Sequence, residues 1–236
     1  MSNFSKLKKN IEQESHYRIM EINYMFSQFE SFDGYPLEKY FLARSIVVFS
    51  YGTIEKFIKV LCSHALTAIV ENEYFLNNTR DLLCILKNEN NIDEIFNLVM
   101  HYKDNPGLNH SFDYVPQKSH FNSRDSINDK KLSHIIKVFD LNKKEPLLKV
   151  PAATLKNLCN VRMSLAHGDY INELKRFNTG RENLTIEDVD TYIEDHFKIN
   201  DKTKNDLLRL VMDFKEKILI LLNDIEEYRK TSQTAE

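Results

Sequence analysis

The sequence predicts an all-α fold, a helical bundle of about seven to eight helices. Apolar residues recur every three or four positions along most of the chain, which is the spacing of one face of an α-helix. Glycine and proline are scarce, with five of each among 236 residues, so few turns interrupt the helices. No segment shows the alternating pattern of a strand. We therefore expect one helical domain over residues 1–236, with its core at about 37–228.

Two long helices are predicted before residue 72. Apolar residues at helical spacing run from 4 to 30, so that 1–30 forms an N-terminal helix, and the Asp-Gly-Tyr-Pro turn at 33–36 ends it. A second helix is predicted from 37 to about 71. Its high apolar content predicts that most of it is buried in the core.

The middle of the chain predicts shorter helices around a long loop. Helices are predicted over 77–87, 92–102 and 126–139. The segment 104–124 is polar, with several aromatic residues and two prolines. A loop of this length in a compact domain is usually functional or an insertion, and we expect an insertion loop here.

The last third predicts three helices with recognisable ends. Pro151 suits the first turn of a helix, and Gly168 suits the position just after its last residue. The segment 185–188 resembles a capping box that opens a short helix to about Phe197. Asp201 can cap the last helix, which has a long apolar stripe.

Composition excludes several classes of protein. The chain is 42% apolar and 28% charged, which is ordinary for a soluble globular protein. Charges interrupt the longest apolar stretches, and residues 1–10 lack an apolar run, so neither a membrane span nor a signal peptide is predicted. Cys62, Cys84 and Cys159 are an odd number without zinc-ligand spacing. We expect a cytoplasmic protein with reduced cysteines and without a metal or a cofactor.

The charge distribution allows a phosphate-bearing partner. The whole chain has a net charge of −3, whereas residues 117–181 hold 13 Lys and Arg against 6 Asp and Glu, a net charge of +7. This basic middle could contact nucleic acid, or it could be ordinary solvated loops and helix faces. Both interpretations stay open.

Arg162 and His167 close the helix that begins near Pro151. On an ideal helix they lie roughly 140° apart around the axis and about 7.5 Å along it. The long arginine side chain can still lean toward the histidine end, and a second copy of the helix could complete the site. His167 would lie at the C-terminal, negative end of the helix dipole. A histidine can take a proton from a ribose 2′-hydroxyl or give one to the leaving 5′-oxygen, and an arginine can hold the phosphate. The structural alternative is a capping histidine and an arginine that packs through its stem.

The segment 160–168, Asn-Val-Arg-Met-Ser-Leu-Ala-His-Gly, resembles the signature of the HEPN superfamily, an arginine followed after four to six residues by a histidine. Residues 49–59 resemble the early core helix of one HEPN subgroup, with an aromatic residue four positions before a glutamate. The segments 121–123 and 184–189 also fit that layout. The similarity extends loosely over most of residues 40–225.

The resemblance implies a homodimeric, metal-independent endoribonuclease of a bacterial toxin or anti-phage defence system, with the motif helices at the dimer interface. Arg162 would bind the scissile phosphate and His167 would transfer protons, leaving a 2′,3′-cyclic phosphate. Ser164 and Glu55 would assist. Glu55 could orient the catalytic pair, or it could form an i,i+4 pair with Lys59.

Tyr51, Asp169 and Tyr170 complete the supporting residues, although Tyr51 fits the core as well. The expected partners are RNA, a second copy and a cognate antitoxin or defence protein.

Toxins that pair with a nucleotidyltransferase antitoxin often carry His-x-Tyr, and Tyr170 lies one position too far for that pattern. Met163 stands where the family often has Asn, Asp or His. The alternative is therefore a weak or inactive HEPN dimer that binds RNA, a nucleotide or a protein. A purely structural helical scaffold would instead keep Arg162 and His167 apart from any cleft.

Overall fold

The computed structural model describes residues 3–72, 74, 126–142, 149–167 and 185–233. These residues form six α-helices and no strand, which confirms the all-α prediction. The helices predicted over 77–87 and 92–102 and the insertion loop at 104–124 lie outside the described residues. The count of seven to eight helices therefore stays a prediction for the whole chain.

The helices have the following bounds: α1 Asn3–Glu30, α2 Pro36–Glu71, α3 Asp129–Val138, α4 Lys149–His167, α5 Ile186–Tyr192 and α6 Asp201–Gln233. The bounds of α1 and α2 agree within one residue with the limits 4–30 and 37–71 that the apolar spacing predicts. None of the described helices is long and apolar enough to cross a membrane.

The three long helices α1, α2 and α6 pack against one another, and α4 packs against α2 and α6. The short helix α3 lies on α4, and α5 lies on α2. All six helices contribute to one hydrophobic core, in which the largest fully buried side chains include Tyr40, Tyr51, Phe57, Phe197 and Phe214. The C-terminal end of α4 is thereby held against the middle of α2.

Polar side chains also connect helices that are far apart in sequence. Lys39 of α2 forms a 2.7 Å ion pair with Asp190 of α5. Thr154 of α4 donates a 2.6 Å hydrogen bond to the carboxylate of Asp206 in α6. Asp206 is only 9% exposed. A buried carboxylate needs such donors, because it has lost its water.

The start of α3 differs from the predicted position at residue 126. Asn128 caps the helix, since its side-chain oxygen accepts a 2.9 Å hydrogen bond from the backbone N–H of Lys131. Ser126 and Ile127 therefore lie outside the helix, in the segment that leads into it. Their position brings them to the end of α4.

Two helix starts near the C-terminus test the capping predictions. The capping box is confirmed, because Thr185 accepts from the N–H of Asp188 and the Asp188 carboxylate accepts from the N–H of Thr185. The cap predicted at Asp201 is wrong. Asn200 caps α6, with its side-chain oxygen 3.0 Å from the N–H of Thr203, and Asp201 is the first helical residue.

A single π-helical turn, Ile193–Phe197, continues α5 and was not predicted. The apolar residues Val189, Ile193 and Phe197 are spaced by four and are all buried. Successive steps of four rotate away from one face of an α-helix, and the wider π turn reduces that drift. The turn ends at Lys198, whose N–H bonds to the carbonyl of Ile193 at 2.9 Å and whose φ of 56° reverses the chain.

Candidate functional site at the end of helix α4

The last turns of α4 present different side chains to the core and to solvent. Leu158, Cys159 and Leu165 are buried, and Arg162 is half-buried on the same side of the helix. His167 is exposed and is the last residue of the helix. The sequence of α4 contains no aspartate or glutamate, so no acidic side chain of this helix would repel a phosphate.

The guanidinium of Arg162 has a defined position. Its Cζ atom lies 4.7 Å from the centroid of the Tyr51 ring, and its Nη1 donates a 3.2 Å hydrogen bond to Oγ of Ser126. Stacking on an aromatic face is favourable for a cation. The arginine is thus held by α2 and by the segment that leads into α3. Because a guanidinium has five N–H groups, this bond to Ser126 leaves donors that a phosphate could use.

Tyr51 supports Arg162 from inside the core. It is fully buried, and its hydroxyl donates a 3.1 Å hydrogen bond to the backbone carbonyl of Ile127. Burial raises the pKa of the Tyr51 hydroxyl, and the nearby Glu55 carboxylate raises it further. Tyr51 therefore stays protonated at neutral pH. It can position Arg162 but is a poor candidate for a general base.

Glu55 contacts neither Arg162 nor His167 by a hydrogen bond. Its carboxylate forms a 2.9 Å ion pair with Lys59, one turn further along α2. Both side chains are largely buried, at 15% and 14% exposure. Between the two roles considered for Glu55, the structure places it in the i,i+4 pair. Its carboxylate also contributes to the raised pKa of the Tyr51 hydroxyl.

Arg162 and His167 do not face one another within one copy of the chain. Arg162 follows the core side of α4, and His167 lies about 140° around the helix from it. Ser164 is half-buried, and Met163 is 47% exposed. The supporting candidates Asp169 and Tyr170 lie outside the described residues. One copy therefore brings together Arg162 and Tyr51, and it presents His167 separately.

Two contributors to the site were not identified from sequence. Ser126 lies 36 residues before Arg162, and no local pattern connects the two. Cys159 is buried near the Tyr51 hydroxyl, whose pKa it raises. Its spacing of three from Arg162 places both on one side of α4, which is a signal that helical periodicity contains.

Comparison with protein-family models, with curated proteins and with solved structures found no match. Among the described side chains, no three of His, Cys, Asp or Glu gather where they could hold a metal ion. Arg162 with its neighbours and the exposed His167 are therefore the candidate functional residues of the described part of the chain.

Proposed function

We propose that this protein is a metal-independent endoribonuclease whose site forms between two copies of α4. One observation carries the proposal: Arg162 is held by Tyr51 and Ser126 near the end of a helix whose last residue is an exposed histidine. The likeness of this segment to the HEPN motif supports the same conclusion. A role in a toxin or anti-phage defence system rests on that likeness alone.

The chemistry is a transesterification within the RNA. The 2′-oxygen attacks the adjacent phosphorus, the bond from phosphorus to the 5′-oxygen breaks, and a 2′,3′-cyclic phosphate remains. His167 takes the proton of the 2′-hydroxyl as general base, and a second His167 gives a proton to the leaving 5′-oxygen. Arg162 binds the phosphate and stabilises the charge that develops on its oxygens.

The angular separation on α4 is the reason for proposing a composite site. Arg162 is half-buried and His167 is exposed about 140° around the helix from it, so the two side chains do not face one another within one copy. A second α4 beside the first can bring its own histidine to the arginine. The outer face of α4 is open to such an approach, because Ala153, Asn157, Asn160 and Met163 are exposed there, together with the basic Lys156.

A second candidate is an inactive dimer of the same type that binds RNA, a nucleotide or a protein. Arg162 already packs on Tyr51 and bonds to Ser126, which are contacts that a structural arginine also makes. Met163 is exposed at the position where the related motif often has a polar residue. Both observations favour binding without turnover.

RNA cleavage by matched histidine variants tests the proposal. A labelled RNA is incubated with the wild type, His167→Ala and His196→Ala in EDTA. His196 is also an exposed histidine near a helix end and serves as the control. We expect His167→Ala to lose roughly 100-fold or more of the activity, as for a missing general base, and His196→Ala to lose none. The product should carry a 2′,3′-cyclic phosphate.

The same assay separates the two candidates. If wild type and His167→Ala are equally inert at high protein concentration, the nuclease proposal fails. Fluorescence anisotropy with the same RNA then shows whether the protein binds it. Arg162→Ala should weaken that binding, whereas Arg209→Ala, at a side chain 63% exposed on α6, should not.

A further inference from the structure

The outer face of α1 carries an uncharged stripe opposite the core. Its members alternate in spacing by four and three residues, and all are exposed: Gln13, Tyr17, Met20, Tyr24 and Ser27. Tyr17, Met20 and Tyr24 are 63%, 55% and 67% exposed. A mean spacing of 3.5 residues is that of a coiled-coil seam. The solvent face of a helix normally carries charged residues, which this stripe lacks.

The outer face of α2 is also apolar. Phe41, Val48 and Phe49 are 46%, 44% and 61% exposed. On the same face, the small residue Ser45 lies between Phe41 and Val48, and Gly52 follows Phe49 by three residues. Glycine is disfavoured in a helix interior. A Cβ atom built at Gly52 would have no neighbouring atom within 4 Å, so no close approach within the chain requires a glycine. A close approach from outside would account for it.

The two faces adjoin. The Thr53 hydroxyl of α2 donates a 2.8 Å hydrogen bond to the Glu21 carboxylate of α1, and the two helices are antiparallel neighbours. Tyr24 lies one turn after Glu21, and Phe49 lies one turn before Thr53. In an antiparallel pair those two turns are at the same level. We name six of the large exposed side chains on these two helices the hairpin patch: Tyr17, Met20, Tyr24, Phe41, Val48 and Phe49.

The hairpin patch is large for a monomer. An aromatic side chain can bury about 150–250 Å², and the six residues are 44–67% exposed. Together they leave on the order of 600 Å² open, at the upper end of what monomers show. Two such patches facing one another would bury about 1,200 Å², which is enough for a specific interface.

We propose that a second copy of this chain docks on the hairpin patch through the same patch of its own. A two-fold interface must be self-complementary, and this one offers aromatic side chains beside the open space at Gly52. Arg44 lies over the Phe41 ring, with its Cζ atom 5.8 Å from the ring centroid, and no cluster of like charges among the described residues beside the patch would select an oppositely charged partner. Glu14 and Glu21 are both bonded to Arg18 of the same helix, and Lys56 lies at one end of the patch, where it can stay in water.

This interface is separate from the pairing of α4 helices in the proposed nuclease, and it does not depend on RNA cleavage. Three methionines of similar exposure distinguish the two interfaces. Met20 lies in the hairpin patch, Met163 on α4 and Met212 on α6, with exposures of 55%, 47% and 48%. Each is replaced by glutamate, and the molar mass is measured by sedimentation equilibrium from dilute solution up to the solubility limit. Circular dichroism checks that each variant is folded.

We expect Met20→Glu to weaken self-association by roughly 30-fold or more, the effect of losing an interface hot spot. Met212→Glu should leave the association unchanged. Tyr24→Glu provides a second disruption of the same patch and should act like Met20→Glu. A wild type that is monomeric throughout overturns the proposal and leaves the patch to a different protein.

The Met163 variant keeps the two proposals apart. If only Met163→Glu lowers the molar mass, the copies pair through α4 and the hairpin-patch proposal is overturned. If only Met20→Glu and Tyr24→Glu lower it, the hairpin-patch proposal stands and the composite nuclease site loses its support. If both kinds of variant lower it, two interfaces exist and the wild type forms more than a dimer.

Discussion

Replacing Tyr51 by phenylalanine tests how Arg162 is held. The change removes one hydroxyl and keeps the ring beneath the guanidinium. In the wild type that hydroxyl donates a 3.1 Å hydrogen bond to the backbone carbonyl of Ile127, a residue that is only 1% exposed. The variant leaves this buried acceptor without that donor. The cation–π contact at 4.7 Å remains, because it depends on the ring.

The expected cost follows from these contacts. A buried group that loses its hydrogen-bond partner costs about 1–3 kcal/mol, and a carbonyl that can find water lies at the low end of that range. We expect Tyr51→Phe to lower the free energy of unfolding by about 1–2 kcal/mol. For a chain of 236 residues this corresponds to a decrease in Tm of about 2–8 °C. Tyr51→Leu should cost more, since it also removes the ring that supports Arg162.

Urea unfolding monitored by circular dichroism measures both variants. Tyr17→Phe is the matched control, because Tyr17 is 63% exposed and loss of its hydroxyl should change the free energy of unfolding by less than about 0.5 kcal/mol. If Tyr51→Phe is as stable as the wild type, the hydroxyl does not hold the segment before α3. If Tyr51→Leu is no less stable than Tyr51→Phe, the ring does not support Arg162.

Three further changes have expected outcomes that urea unfolding can check. Burial lowers the pKa of His64, and the Glu14 carboxylate offsets part of that effect. On acidification the unfolded chain therefore binds a proton at His64 before the folded chain does, so the free energy of unfolding should decrease as the pH is lowered below about 6.5. His64→Gln should remove that part of the pH dependence. Thr154→Val should cost about 1–3 kcal/mol, because the buried Asp206 loses a 2.6 Å donor. Gly52→Ala should stabilise the dilute monomer by about 0.5–1 kcal/mol, because the added Cβ atom has no neighbouring atom within 4 Å. In sedimentation equilibrium the same variant should show weaker self-association.

The long helices could be predicted because their signals are local. The apolar spacing of α1 and α2 and the turn at 33–36 between them fix both helices within a residue. The capping box at 185–188 is equally local, as it involves residues three apart. The π turn at 193–197 could not be predicted in this way. It depends on how Ile193 and Phe197 fit the core, which the spacing alone does not specify.

In the candidate site, too, the features with local sequence signals could be predicted and those that depend on packing could not. Arg162 and His167 were found from a segment of nine residues, and their separation around α4 follows from helix geometry. The contacts that orient Arg162 come from elsewhere in the chain. Tyr51 precedes it by more than a hundred residues and Ser126 by 36. The sequence named Tyr51 as a supporting residue that also fits the core, and the packing of α2 against α4 is what places its ring under the arginine.

The surroundings of Arg162 explain why its function cannot be judged from an alanine variant alone. The contacts of Arg162 with the Tyr51 ring and with Ser126 stabilise the fold and also orient the guanidinium. Arg162→Ala therefore removes a stabilising contribution together with the functional group. Lysine keeps the positive charge but cannot offer the planar, forked set of donors that binds a phosphate. If a charge near the phosphate were sufficient, Arg162→Lys would support cleavage. The proposed mechanism needs an oriented guanidinium, and it is this requirement that gives the contacts to Tyr51 and Ser126 a role beyond stability.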